Sequence, residues 1–473
     1  MKANLTEKDK AFREFALTGS IWSVVLYIGI PLALYQSLTQ IFKVFDTMMA
    51  AHISAASVSA VAYLSQLSGM LSALGGGLAV GASIRISEAY GAGDFALVKK
   101  RVSTLFTLCG LLGLLLLIIL VPFAPQFLRL AKTPEAFMAS GVAYFRLELL
   151  AMVISFFNNV YIAIERARGN SKRILYLNFF ILGIKLLLTA FFVYVLHAGI
   201  NMIAVATIVS QGLLLLAAIK NLNERSSAFG FSLRSISLRR EVVQPMILLS
   251  IPVIAEKVAF SMGKVIINSM STIYNALTVG ALSISNTISG FTTMPQNGFQ
   301  EGGAAIISQN LGAKQVKRAL QTFGCVLIIN VLLGVFLMSG SLICLQQISS
   351  LFAGNDLVFQ HTIASIYRME AYGAIPLGVN AAVMSLLYGF GKTKLTLLIN
   401  FSRLFIFRVP VLWFLQQFTD LGDISVGIVM GISNTATGIM AMIVGAIVIH
   451  SICKENDIVL FDFFSTHPFQ VSK

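Results

Sequence analysis

Ionisable side chains stand inside the longest apolar runs of this 473-residue sequence. The residues concerned are Lys43, Asp46, Lys185, Glu256, Lys257, Lys264, Arg403 and Arg408. A charge at the centre of a membrane helix costs roughly 2.5–3.5 kcal/mol, so these groups should face a partner or a wet cavity. A carboxylate in such a place can bind a proton or a cation, because its pKa responds to hydration and to neighbouring charges.

Asp46 is the acid that a purely structural role explains least well. It lies in KVFDTMMAA, within a long apolar run. We interpret it as a residue that binds a coupling cation or the substrate, with a structural ion pair as the alternative. Glu148 and Glu370, by contrast, fall near the outer ends of predicted helices. They are expected to reach the interface or to pair with Arg146 and Arg368.

Residue patterns typical of enzymes are not found in the sequence. The cysteines are far apart and form no CxxC pair, and no group of His, Cys and carboxylates has the spacing of metal ligands. No Walker A motif is present, and the glycine-rich stretch at 75–81 lies in an apolar run, where it favours close helix packing. We therefore predict neither an enzyme nor a bound metal or cofactor.

The composition requires a membrane as solvent. Apolar residues make up 57% of the chain, charged residues make up 11%, and the mean hydropathy is +0.83. A bilayer core needs about 20 apolar residues per helix, and twelve runs are long enough. They are 21–48, 54–84, 103–124, 140–164, 174–196, 201–220, 244–270, 277–305, 322–346, 362–388, 395–416 and 424–450. The sequence thus predicts an all-α polytopic membrane protein with twelve transmembrane helices.

The formal net charge of +14 reports topology rather than nucleic-acid binding. With the N-terminus inside, Arg129 and Lys132 are the basic residues of the outer loops. The inner segments hold Lys2, Lys8, Lys10, Arg13, Lys99, Lys100, Arg101, Arg166, Arg168, Lys172, Arg173, Lys220, Arg225, Arg234, Arg239, Arg240, Lys314, Lys317, Arg318, Lys392, Lys394, Lys454 and Lys473. This asymmetry predicts a protein of the cell membrane with both termini cytoplasmic.

An internal repeat divides the chain. A shift of 221 residues superposes Pro31 on Pro252 and the glycines at 77 and 81 on those at 298 and 302. The predicted domains are a cytoplasmic segment 1–20, an N-lobe 21–220, a linker 221–243, a C-lobe 244–450 and a tail 451–473. Two like-oriented six-helix lobes leave a central cleft of the kind that transporters use. Pro31 and Pro252 are predicted helix kinks.

Several segments resemble the multidrug and toxic compound extrusion (MATE) transporters of bacterial type. These segments are GIP at 29–31, RISEAYGAGD at 85–94, ARGNSK at 167–172, IAVATIVSQ at 203–211, SIPVIAEKVAFSMGK at 250–264 and MPQNGFQEGGAAIISQNLGAK at 294–314. The resemblance implies an antiporter that exports amphipathic or cationic molecules by alternating access, driven by protons or sodium ions. Asp46 matches the family's cation-coupling acid.

The fifth predicted helix departs from the family pattern. Lys185 and Thr189 stand where related proteins often carry Asn and then Asp or Asn. We therefore predict a coupling site of Asp46, Lys185 and Thr189. Our hypothesis is that the Lys185 ammonium pairs with Asp46 in place of a bound cation.

Other polar residues are predicted to line the substrate cleft: Glu256, Lys43, Lys264, Tyr35, Arg403 and Arg408. Glu256 is interpreted as a cation-recognition residue, with an ion pair to a nearby base as the alternative. The basic residues favour a second hypothesis, the export of anionic metabolites, and a lipid-linked precursor flippase is a third. A receptor or scaffold remains the non-transporting alternative. Expected partners are a small-molecule substrate and membrane lipid, without nucleic acid, and the chain is expected to act as a monomer.

Overall fold

The computed structural model describes residues 4–53, 55–131, 133, 135–223, 227–354 and 356–458. The side chains of residues 46, 47, 50–63, 66, 135–137, 139, 140 and 276 lie outside this description. Within it the chain is helical, and its β-structure is a single isolated bridge between Asn4 and Ser227. The all-α prediction is therefore confirmed for the described residues.

Helices α1 to α17 follow one another along the chain. Their bounds are Glu7–Thr18, Ile21–Ile53, Ala55–Ala92, Phe95–Leu120, Ala124–Leu130, Glu135–Ala167, Ser171–Ala190, Ile200–Leu222, Arg240–Ser271, Ala276–Gly312, Val316–Ile343, Leu345–Ala353, Leu357–Ala371, Ala374–Gly389, Thr393–Phe405, Val409–Phe418 and Ile424–Glu455. A π-helical turn, Phe191–Val195, extends α7, and a 3₁₀ turn, Leu233–Ser235, lies in the linker.

The predicted spans are recovered with local differences. Among the described residues, ten helical spans are long and apolar enough to cross a membrane, and α13 with α14 adds an eleventh that is bent by 48°. The more polar α10, 37 residues long, coincides with the eighth predicted run. Twelve spans are consistent with this set. Runs predicted as continuous at 362–388 and 395–416 are each broken in two.

Two compact units make up the chain. Unit 1 consists of Met1–Arg13 and Ile41–Val258, and unit 2 consists of Glu14–Gln40 and Ala259–Lys473. Each unit therefore includes part of a helix from the other sequence repeat: unit 2 takes the first part of α2, and unit 1 takes the first part of α9. The lobe boundaries at 21–220 and 244–450 stay a prediction.

Close glycine contacts repeat in the two units. In unit 1, a Cβ atom on Gly77 of α3 would lie 2.8 Å from Cα of Ile254 in α9. In unit 2, a Cβ atom on Gly298 of α10 would lie 2.5 Å from Cα of Ala33 in α2. These pairs are equivalent under the 221-residue shift. The glycines therefore let paired backbones approach within each unit, as small residues do in membrane helices.

The first part of the amino-terminal helix, up to Arg13, belongs to unit 1. Asp9 of α1 accepts hydrogen bonds from Nε and Nη2 of Arg168 at 2.9 and 3.0 Å, and the hydroxyl of Tyr90 donates to the Asp9 carbonyl oxygen. The linker joins the same cluster, since the Phe229 ring packs against Tyr90 with centroids 5.0 Å apart. Part of the segment predicted as a cytoplasmic extension is thus packed into this unit.

Candidate functional site

Two helix breaks in unit 2 flank a cluster of polar and charged side chains in the interior of that unit. Pro410 lies in the first turn of α16 and has no N–H to continue the helical ladder from α15. Pro376 does the same at the start of α14, so α13 and α14 meet at an angle beside Gly373. Broken helices of this kind line binding sites in transporters, because their ends free polar groups within the membrane.

Two guanidinium groups meet at one amide oxygen near these breaks. Nη2 of Arg403, in α15, donates to Oδ1 of Asn434 at 2.7 Å. Nη2 of Arg408, between α15 and α16, donates to the same oxygen at 3.0 Å, and its Nε donates to Oγ of Ser433 at 3.0 Å. Arg408 is only 3% exposed and Asn434 only 1%. The helices α15, α16 and α17 therefore hold two like charges together in a buried setting.

An aromatic ring links this pair to a third cation. The Phe260 ring, in α9, has Cζ of Arg403 at 5.5 Å from its centroid and Nζ of Lys264 at 4.9 Å. Such contacts stabilise a cation by the negative potential of the ring face. Lys264 is exposed and Arg403 is half-buried, so the positive charges run from the surface of unit 2 into its interior.

Glu370 is buried rather than placed at an interface. It is 4% exposed, and one of its carboxylate oxygens accepts a hydrogen bond from Oγ of Ser285 at 2.5 Å. Its carboxylate also acts electrostatically on Arg403 and Arg408. The interpretation that Glu370 reaches the interface was therefore wrong, because the bend after α13 directs this end of the helix into the core of unit 2.

The predicted coupling residues lie in unit 1. Asp46 belongs to α2, but its side chain is outside the described residues, so its pairing with Lys185 stays a prediction. Lys185 is half-buried in α7. Thr189 is fully buried, and its hydroxyl donates to the carbonyl oxygen of Lys185 at 2.9 Å. The threonine oxygen keeps its lone pairs for a further donor or a cation.

The remaining predicted residues are divided between the units. Glu256, 9% exposed, and Lys43, exposed, lie in unit 1. Tyr35 lies half-buried in unit 2. Pro31 and Pro252 are both buried within helices that continue past them. The structure therefore brings together Lys264, Arg403 and Arg408 from the predicted set.

The uncharged partners of these cations were missed at the sequence level. Ser433 and Asn434 occur in ISNTAT, a polar interruption of an otherwise apolar run, which is the signal that could have identified them. Phe260 could not be chosen among 35 phenylalanines. Among the described residues, no three His, Cys, Asp or Glu side chains form a group that could hold a metal ion.

Comparisons with known proteins agree with this architecture. A sequence-family model described as MatE matches residues 31–191 and 252–414. The probable multidrug resistance protein YoeA of Bacillus subtilis (strain 168) is 23% identical over 413 residues, which are 85% of this chain and 88% of that protein.

Solved structures share the fold. One is the outward-facing conformation of a multidrug resistance MATE family transporter of the MOP superfamily, with a TM-score of 0.89, 20% identity, and coverage of 95% of this chain and 100% of the other. Another is a MOP superfamily transporter from Pyrococcus furiosus Vc1, described as having a binding pocket of reverse polarity that suggests a different function. It has a TM-score of 0.88, 19% identity, and coverage of 95% and 99%.

Proposed function

Since the chain belongs to the MatE family of membrane transporters, we propose that it is a secondary active efflux transporter. It exports amphipathic or cationic small molecules in exchange for protons or sodium ions, alternately exposing its substrate site to the two sides of the membrane. The name of the relative YoeA, a probable multidrug resistance protein, supports this class of substrate.

Ionisable side chains within membrane-crossing helices carry the proposal. Lys185, Glu256 and Arg408 all lie in helical spans, half-buried or buried. Such groups are expensive in a membrane and are found where an ion or substrate passes. A static scaffold needs neither these ionisable side chains nor a sequence repeat that relates the two halves of the chain.

Asp46, Lys185 and Thr189 form the proposed coupling site. Protonation of Asp46, or binding of a sodium ion to it, releases the ammonium of Lys185, and this exchange couples ion entry to substrate export. One charge that crosses 100 mV supplies roughly 2.3 kcal/mol. That energy sustains about a fifty-fold substrate gradient, since a factor of ten corresponds to about 1.4 kcal/mol.

Reconstitution in liposomes tests this function. The full chain is expected to move ethidium against its gradient when a proton or a sodium gradient is imposed, and the ion that drives it identifies the coupling. Asp46→Asn is expected to abolish gradient-driven transport because the amide binds neither ion as a carboxylate does. Lys185→Asn should change how ethidium transport depends on the proton and sodium gradients.

Asp423→Asn is the matched control. Asp423 precedes α17 outside the apolar run and makes no side-chain cap hydrogen bond, so its loss of charge should leave transport unchanged. Failure of the wild-type protein to transport under either gradient would refute the efflux proposal. Full transport by Asp46→Asn would refute the coupling site alone.

The proposed setting is the cell membrane, with both termini cytoplasmic and the chain acting as a monomer without cofactor or catalytic activity. A green fluorescent protein fused after Lys473 is expected to fluoresce in bacterial cells, because it folds in the cytoplasm but not after export across the membrane. A dark but fully expressed fusion would contradict the topology.

A further inference from the structure

We propose that Arg403, Arg408 and Asn434 form a binding site for an oxyanion group, a carboxylate or a phosphate, carried by an amphipathic substrate. The proposal rests on the transport function above and specifies its substrate class. It assigns to unit 2 a ligand site of opposite charge to the substrate cations expected from the family resemblance.

The first argument is the excess of positive charge. Two guanidinium groups converge on one oxygen of Asn434, and Glu370 is the carboxylate that acts on both. A buried charge without its own counter-ion costs several kcal/mol. Among the described residues, one carboxylate thus faces two guanidinium groups, and a bound anion would offset the excess positive charge.

The second argument is the presence of unused donors. Nε of Arg403 and Nδ2 of Asn434 are buried and make no hydrogen bond among the described residues. The amide cannot be turned over to satisfy itself, because its NH₂ group would then face two guanidinium groups. A buried donor left without an acceptor is costly. An oxyanion offers several lone pairs and suits a guanidinium group, with which it forms paired charge-assisted hydrogen bonds.

The third argument is the route to the site. Lys264 is exposed on α9, Arg403 is half-buried, and Arg408 is buried, while the Phe260 ring contacts the first two. Positive charges at this depth attract anions more strongly than they would in water. The ring adds an apolar surface for the body of an amphipathic acid.

The test uses three compounds that share a naphthalene ring and differ in the charged group attached to it. The detergent-purified full chain is titrated with 1-naphthoate, 1-naphthyl phosphate and 1-naphthylmethylammonium, and binding is measured by calorimetry and by the unfolding temperature. We expect at least one anion to bind and to raise the unfolding temperature, and the ammonium compound to bind more weakly. The tighter anion identifies the group as carboxylate or phosphate. Failure of both anions to bind would overturn the proposal.

Arg403→Gln is expected to weaken anion binding by about tenfold or more, the range of a lost charge-assisted hydrogen bond. Arg368→Gln is the matched control, because Arg368 is an exposed arginine of α13 in the same unit and is expected to bind the anions as the wild type does. Unchanged binding in Arg403→Gln would contradict the site.

Asn434→Asp covers the case in which the arginine variant does not fold. The new carboxylate supplies an internal anion to both guanidinium groups, so it is expected to raise the unfolding temperature and to abolish naphthoate binding. A well-folded Asn434→Asp variant that binds naphthoate as the wild type does would overturn the proposal. Ethidium transport without anion binding would refute the oxyanion site alone. Anion binding without gradient-driven transport of either ethidium or the bound anion would refute the efflux proposal alone.

Discussion

At the residue scale, two of the cations predicted to mark the cytoplasmic face make hydrogen bonds inside unit 1. Arg101 is 8% exposed and Arg168 is 7% exposed, and each is hydrogen-bonded within unit 1. Burial opposes the charge on Arg168, but Glu165 and Asp9 outweigh that effect and raise the pKa of the guanidinium above its usual value. Arg168 therefore stays charged throughout the ordinary range of pH.

Arg168→Gln is expected to destabilise unit 1 by about 3–5 kcal/mol, because it leaves the 1%-exposed carboxylate of Asp9 without its counter-ion. A lower unfolding temperature in detergent, followed by circular dichroism, measures the loss. Lys10→Gln is the control: Lys10 pairs with Glu7 on the same helix, but their side chains are 57% and 89% exposed, so little change is expected. Equal unfolding temperatures for the two variants would contradict the structural role of Arg168.

The sequence predicted which residues carry charge but not which of them meet. Lys264, Arg403 and Arg408 were recognised because a charge in an apolar run is conspicuous. Their convergence depends on the helix break at Pro410 and on Asn434. The packing of neighbouring helices brings Asn434 within hydrogen-bonding distance of both arginines. No periodicity within a single helix contains that information. For Asp46 and Lys185 the pairing stays a prediction.

At the element scale, the glycines of the repeat are predicted to set the distance between packed helices. A Cβ atom at Gly77 would meet the backbone of Ile254, and one at Gly298 would meet the backbone of Ala33, both closer than 3.0 Å. Backbone atoms cannot move away by rotating a side-chain torsion, as side chains can.

The repeat was visible from the sequence, whereas the exchange of helix segments between the units was not, because self-similarity does not say which copy a helix packs against.

Gly77→Ala and Gly298→Ala are each expected to destabilise the protein by about 1–3 kcal/mol, the usual range for overpacking a well-packed interior. Unfolding temperatures of the purified variants test this. Gly183→Ala is the control, because a Cβ atom there would meet no heavy atom within 4 Å beyond the nearby backbone of its own helix, and alanine favours the helix. If Gly77→Ala unfolds no earlier than Gly183→Ala, the close approach of α3 and α9 in unit 1 is wrong.

At the scale of the whole molecule, the two compact units do not coincide with the two sequence repeats. The helix Ile21–Ile53 contributes residues up to Gln40 to unit 2 and its remainder to unit 1, and Arg240–Ser271 is divided at Val258 in the opposite sense. In unit 1, Ser250 of the second repeat donates to the carbonyl oxygen of Leu78 at 3.2 Å. In unit 2, Gln40 of the first repeat donates to that of Thr287 at 3.0 Å. Each unit is thus complete only with a segment of the other repeat.

A chain divided in the linker should therefore fold only when both pieces are present. Fragments 1–225 and 226–473, expressed separately, are each expected to aggregate or be degraded, because each exposes helix faces that the missing segment covers. Expressed together, they should co-purify through a tag on one fragment and unfold cooperatively. The intact chain with a protease site inserted after residue 225, cut after purification, is the control and should stay associated. A single fragment that purifies as a monodisperse, cooperatively unfolding species would show that the exchanged segments are dispensable, and the repeats would then be the folding units after all.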